Sequence, residues 1–207
     1  MKFKYYDILT QVVVGYFILV VFMFSLGFTY NNTYSVPYLA GSFVIGYFIN
    51  AISSLFEGFY YWTIGGKPSN KILRTNQRKE YSGISKVRFY HTYKVIDMLK
   101  QDLVDNEANE EKMFSYAMAI SNSNKKSRVP DFNAHYAFSR IMLTTTLIIA
   151  IILLFNFYNK WEIYLILIPL ILLSWNRYKE RSYYYAREVL NEYMKKKDGN
   201  GTYQEKK

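Results

Sequence analysis

The polar residues that could most readily bind ions or carry protons lie in one long apolar run, residues 36–56, and directly after it. At about 100° per residue, they fall on less than half of the circumference of a helix. Polar groups in hydrocarbon are costly unless they find partners or water, so this face should meet other helices or a cavity. We call it the stripe, and it consists of Ser42, Gly46, Asn50, Ser53, Ser54, Glu57 and Gly58.

Two interpretations of the stripe are open. In the first, its small residues allow close helix packing with interhelical hydrogen bonds. In the second, it lines a pore or a substrate path, with Asn50 and Glu57 nearest to the permeating ions. Residues 8–28 carry a weaker matching face with Gln11 and Gly15, so the two faces would meet within one hairpin.

Two uncharged runs, residues 8–28 and 36–56, must position these side chains. At a rise of about 1.5 Å per residue, each is long enough to cross a hydrocarbon core of roughly 30 Å. The uncharged loop between them is short, which predicts an antiparallel helical hairpin. The first hairpin is assigned to residues 1–62.

A second pair of apolar runs, residues 141–158 and 161–178, is separated by Asn159 and Lys160 alone. The pair predicts another tight hairpin, at 141–178. The last run contains Pro169, which a membrane helix tolerates when its neighbours absorb the lost hydrogen bond. The predicted fold class is therefore all-α, with four transmembrane helices in two hairpins, a helical cytoplasmic insertion and a C-terminal cytoplasmic helix.

The distribution of basic residues predicts the orientation. Lys and Arg number 26 against 16 Asp and Glu, a formal charge of +10. Of these 26, 25 precede residue 8, lie in 63–140 or follow residue 175. By the positive-inside rule, both termini and the 63–140 loop lie in the cytoplasm, in a multi-pass protein of the cytoplasmic (inner) membrane.

The cytoplasmic parts show helical periodicity. The 63–140 loop opens with a Gly-Gly turn and Ser69 as a helix N-cap, followed by two amphipathic helices in a hairpin around residues 89–103 and 113–120. A further helix restarts at Val129 and leads into the third span. In the tail, 179–207, one apolar face either packs, on the loop or on a neighbouring subunit, or lies on the membrane, where the lipid headgroups would contact Lys195, Lys196 and Lys197.

Composition excludes several kinds of chemistry. The 207 residues contain no cysteine, so disulfides, thiolate catalysis and cysteine-based zinc sites are excluded. H-E-x-x-H and G-x-S-x-G motifs are missing, and His91 and His135 have no adjacent metal-ligand partner. Arg128 and His135 are spaced like the Arg/His pair of HEPN ribonucleases, but Pro130 interrupts the helix that this motif occupies. The sequence predicts no enzyme, no metal and no cofactor.

The layout resembles small multi-pass membrane proteins of prokaryotic phage-defence and CRISPR-associated systems. The features that carry the resemblance are Tyr6-Asp7 with Gly15 leading the first span, the Gly/Ser-rich second span closed by Glu57, Gly65-Gly66-Lys67-Pro68, and Phe138-Ser139-Arg140 before the third span. The resemblance implies a membrane effector or sensor, often oligomeric, that perturbs the membrane or relays an infection signal.

Three functions follow as hypotheses. The first is a homo-oligomer in the lipid bilayer that forms or gates an ion-permeable path, opened when a cytoplasmic protein or nucleotide signal binds. The second is a non-conducting sensor or scaffold that recruits a cytoplasmic partner. The third is a small proton-coupled transporter that uses Glu57.

Overall fold

The computed structural model describes residues 5–74, 87, 89–105, 107–123 and 127–204, with the side chains of Ile8 and, inside these ranges, of residues 10–199. Within them the chain is helical and contains no strand. A single 3₁₀ turn, Asn32–Tyr34, precedes the second helix. The helices are α1 Tyr5–Ser25, α2 Ser35–Leu55, α3 Glu57–Thr63, α4 Pro68–Leu73, α5 Thr92–Leu103, α6 Glu110–Asn122, α7 Val129–Asn156 and α8 Trp161–Gln204. The all-α prediction is thus confirmed for the described residues.

Two stretches are long and apolar enough to cross a membrane. They are Asn32–Leu55, with 24 residues, and Val129–Asn156, with 28. The apolar part of α1, Thr10–Ser25, is shorter, and α8 does not meet the same criterion of length and hydropathy. Four spans and their topology therefore remain a prediction.

The chain forms two compact units that interleave in sequence. The apolar unit comprises Met1–Phe59 and Ala137–Tyr178, and the basic unit comprises Tyr60–Tyr136 and Lys179–Lys207. The basic unit holds 21 Lys and Arg against 13 Asp and Glu, which is +8 of the formal +10. Each unit thus joins two segments that lie far apart in the sequence: the two predicted hairpins in one, the loop and the tail in the other.

The core of the apolar unit is small and brings three helices together. Val14 and Ile18 of α1, Ile49 of α2 and Ile141 of α7 are its buried residues. Most other large apolar side chains of this unit point outward, so the unit has a largely apolar surface. The most exposed include Phe24, Val36, Leu55, Phe155, Leu165, Ile166 and Leu173.

The basic unit has a separate and larger core. The C-terminal half of α8 runs through it, where Val189, Leu190 and Tyr193 are completely buried. The side chains packed around them include Ile72 of α4, Leu99 of α5, Met113 of α6 and Val129 of α7. The apolar face of the tail therefore packs on the loop, which was one of the two interpretations left open by the sequence.

One helix start in the basic unit differs from the sequence prediction. Gly65 and Gly66 have φ of 78° and 115°, as a tight turn requires, but the N-cap of α4 is Lys67 and not Ser69. Pro68 opens this helix, where a missing N–H costs nothing. The N-cap of α6 is Asn109, whose side chain accepts a 2.8 Å hydrogen bond from the Lys112 N–H.

Candidate functional site

Part of the stripe lies in a close contact between α1 and α2. A Cβ atom built on Gly15 would overlap the carbonyl oxygen of Ser42 and would lie 2.7 Å from the Gly46 nitrogen. One built on Gly46 would overlap the carbonyl oxygen of Gln11. Only glycine at both positions allows the two backbones to approach this closely.

The hydroxyl groups of the stripe bond within α2. Ser42 and Ser53 are fully buried, and they donate hydrogen bonds to the carbonyl oxygens of Tyr38 at 2.6 Å and Asn50 at 2.8 Å. Ser54 also donates to the Asn50 oxygen, at 3.1 Å. These serines therefore satisfy their donors within their own helix, as hydroxyl groups commonly do where no water is available.

The end of the stripe forms an ion pair with α7. Arg140 places Nη1 3.0 Å from Oε2 of Glu57, and its Nη2 donates a 2.9 Å hydrogen bond to Ser54 Oγ. The two charged side chains are 12% and 30% exposed. We call Ser54, Glu57 and Arg140 the clamp. Sequence reasoning placed Glu57 near permeating ions or in a proton-coupled transporter, and did not identify Arg140 as its partner.

The eight predicted site residues thus fall into three sets. Gln11, Gly15, Ser42, Gly46 and Ser53 lie in or beside the packed faces of α1 and α2, and Ser54 and Glu57 belong to the clamp. Asn50 is half-buried between these sets, and its side-chain amide takes part in neither. Within the protomer, the geometry gives the stripe a structural use, and its use as a pore lining stays a prediction.

The three lysines predicted to meet lipid headgroups have partners inside the basic unit. Lys196 donates to Ser123 Oγ and to the Ile120 carbonyl oxygen, at the C-terminus of α6, where a cation is favourable. The Lys197 Nζ lies 2.6 Å from Asp102 Oδ1. Lys195 lies 3.9 Å from Glu192. It also lies about 24 Å along α8 from Lys179, the first residue of this helix that belongs to the basic unit. The contacts of Lys196 and Lys197 help to pack α8 against α6 and α5, whereas Lys195 pairs within α8.

A buried tyrosine completes this contact between α5 and α8. The hydroxyl of Tyr193 donates a 2.8 Å hydrogen bond to Asp102 Oδ2, whose second oxygen receives Lys197. Burial raises the pKa of Tyr193, and the hydrogen bond and charge of Asp102 raise it further. Helical spacing placed Tyr193 on the apolar face of the tail but did not identify Asp102 as its partner.

Lys71 and Lys179 bring two positive charges together in the basic unit. The Lys71 Nζ donates a 2.9 Å hydrogen bond to the carbonyl oxygen of Ile64 at the end of the preceding helix. Burial lowers the pKa of Lys179, and the charge of Lys71 lowers it further.

Of the two residues that suggested a ribonuclease, Arg128 directly precedes α7 and His135 lies within its second turn. The guanidinium of Arg128 lies over the ring of Phe132, 5.3 Å from its centroid, and His135 follows about 10 Å further along the helix axis. Within the described ranges, no three His, Asp or Glu side chains come together in a way that would hold a metal ion. No protein-family model matches the chain, and neither the curated proteins nor the solved structures include a match.

Proposed function

We propose that the chain is a multi-pass membrane protein, with α1, α2, α7 and the first half of α8 as four spans. Both termini and the basic unit would lie in the cytoplasm. The outward apolar side chains support this, because Phe24, Phe48 and Leu173 are 67%, 60% and 64% exposed. Water disfavours such a surface, whereas lipid tails cover it without cost.

The first half of α8 is the span with the lowest hydropathy, and two observations support it. Leu165 and Ile166 are 63% and 65% exposed, which again suits lipid. The hydroxyls of Thr146 in α7 and Ser174 in α8 share a 3.2 Å hydrogen bond, a polar contact typical of neighbouring spans.

The absence of cysteine makes the topology directly testable. In bacteria, a single Thr33→Cys variant should react with a membrane-impermeant maleimide added from outside. Asn122→Cys should react only after the inner membrane is permeabilised. The reverse pattern, or labelling of both residues in intact cells, would contradict the proposed orientation.

The activity that we propose is recruitment: the apolar unit anchors the basic unit, which binds a soluble partner with an acidic surface. The observation that supports it is that the basic unit has a complete core of its own and an excess of 8 positive charges. Such a surface attracts acidic partners and accelerates their association. The stripe, by contrast, is largely used in packing α1 against α2.

Site-specific photo-crosslinking in living cells tests recruitment. A photoreactive amino acid in place of Tyr93, which is 47% exposed on α5, should give a discrete adduct. Lys100→Glu on the same helix should reduce that adduct severalfold, and so should high salt applied to isolated membranes. The matched control is Lys160→Glu, in the loop between α7 and α8. A yield that neither Lys100→Glu nor salt changes would contradict recruitment by charge.

An oligomeric ion path is the second candidate, and Asn50 favours it. Among the described residues, the amide of this side chain has no hydrogen-bond partner. A pore-lining group would also lack a partner within a single protomer. The membrane of bacteria that express the chain should then be depolarised, as measured with a voltage-sensitive dye. Asn50→Leu should abolish this depolarisation. Glu57 is left unchanged in this test because its loss would also break the clamp. Equal depolarisation by both proteins would reject a path lined by Asn50.

The biological setting that we propose is antiviral defence, and it rests on the resemblance in layout alone. Cells that carry the gene should show a lower plating efficiency of some phages than cells that carry an empty vector. Arg128→Ala and His135→Ala should keep that protection, since recruitment needs no ribonuclease pair and each change leaves most of the basic charge of the unit in place. Protection that depends on both would favour the ribonuclease-like interpretation.

A further inference from the structure

Two polar side chains of α2 lie outside its packed face in the middle of the helix. Tyr47 is 58% exposed, and Asn50, one turn later, is half-buried. Ser54 follows after another turn, so the three residues line one face at helical spacing. This face lies beside the one that packs on α1, and it is exposed at Tyr47.

Neither outward group is satisfied within the described part of the chain. Asn50 takes part in hydrogen bonds only through its backbone oxygen, and the Tyr47 ring touches Phe48. Several other polar groups of the apolar unit do have partners. Thr145, for example, donates to the Ile141 oxygen at 2.8 Å, and the Asn156 amide donates to the Ile152 oxygen at 2.8 Å.

A lipid tail cannot supply the missing hydrogen bonds. Both residues lie well inside Asn32–Leu55, one of the two helices that could cross a membrane. An amide without a partner in hydrocarbon is costly, so such groups turn towards another helix or water. A carboxamide carries both donors and acceptors, so two copies of the same residue can pair with each other across a two-fold axis.

We propose that Tyr47 and Asn50 form a self-association surface, on which a second copy of this chain docks with its own α2. This inference rests on the proposed membrane location but not on recruitment or conduction. The paired amides supply each other's hydrogen bonds, and the Tyr47 rings flank them. Ala51 lies on the same side of α2 and leaves room for the close approach of the two helices.

Disulfide trapping in liposomes tests the contact, because the natural chain has no cysteine. Ala51→Cys should give a covalent dimer on mild oxidation. Phe48→Cys, one turn earlier, is 60% exposed but points about 160° away from Asn50 on the helix, and should give little dimer. Equal trapping at both positions, or at neither, would overturn the proposal.

Energy transfer between labelled full-length chains, diluted with lipid, measures the strength of the association. Asn50→Leu should weaken it about tenfold, whereas Asn50→Gln, which keeps the amide, should retain it. The control is Asn156→Leu, which removes an amide that already has a partner in its own helix. A monomeric natural protein, or a dimer that Asn50→Leu does not weaken, would overturn the proposal.

Two further outcomes are separable. Extraction of the natural protein by alkaline carbonate would reject the membrane location itself, and with it the basis of this inference. A variant that fails to insert is recognised in the same assay, and Asn50→Gln and the Ala51→Cys trap then decide the question.

Discussion

Arg140 Nη1 lies 3.0 Å from the Glu57 carboxylate and ties α7 to the beginning of α3. Arg140 is only 12% exposed, so Glu57→Gln would leave a nearly buried cation without this counter-charge. We expect the variant to lose about 1.5–3 kcal/mol of unfolding free energy, measured by denaturant titration in detergent.

The matched control for the clamp is Arg74→Gln. It removes the pair with Glu110, whose side chains are 53% and 30% exposed, and should cost under about 1 kcal/mol. Equal losses in the two variants would mean that burial does not strengthen the clamp.

The contact between α1 and α2 predicts a position-specific response to alanine. Gly15→Ala places a methyl group against the Ser42 carbonyl, so the helices must separate. We expect the free energy of unfolding to fall by about 1–3 kcal/mol. The decrease is measured from the helical circular dichroism signal on heating. Gly41→Ala is the control, because nothing lies within 4 Å of its Cβ position. A stable Gly15→Ala protein would contradict the close approach.

Tyr193 predicts a stability change at high pH. Its pKa is raised in the folded state, so it binds its proton more tightly there than in the unfolded chain. Its contribution is complete below about pH 10 and decreases above it by about 1.4 kcal/mol per pH unit. Tyr193→Phe should remove this part of the slope, measured by denaturant titrations between pH 9 and 11.

The control for this pH dependence is Tyr90→Phe, whose ring is 72% exposed. It should keep the natural slope. The interpretation is wrong if Tyr193→Phe and the natural protein lose stability in parallel above pH 10.

Val104 offers a stabilising substitution. It ends α5 with φ of 50°, is 93% exposed, and is the only non-glycine residue with positive φ among those described. A β-branched residue is strained there, so Val104→Gly should raise the free energy of unfolding by about 0.5–1 kcal/mol. The midpoint of thermal unfolding should rise by a few degrees. Val104→Ala keeps the Cβ atom and should gain less. A lower midpoint for the glycine variant would show that Val104 makes contacts that outweigh the strain.

Local patterns predicted the elements well. The helix that begins at Val129 starts where Pro130 sets the backbone, and α5 and α6 follow the apolar periodicity of the loop. The shared face of the stripe was also readable, because it depends only on spacing within one helix.

Pairings across long sequence separations could not be predicted. Arg140 reaches Ser54 across 86 positions, and Ser121 donates to the Val189 carbonyl oxygen across 68. A single sequence does not show which residues of two distant helices lie opposite each other. It therefore could not show that Gly15 faces Ser42 or that the tail enters the core of the basic unit. For the same reason the three consecutive lysines suggested lipid, although Lys197 has Asp102 as its partner.

The continuity of α8 imposes an order on biosynthesis. Helices α4, α5 and α6 leave the ribosome well before Val189 and Tyr193, which fill the centre of their shared core. In the proposed topology, α7 and the first half of α8 must enter the bilayer in the interval. In that topology, the core of the basic unit closes only after the second hairpin has been made, so that membrane integration would precede the completion of this core.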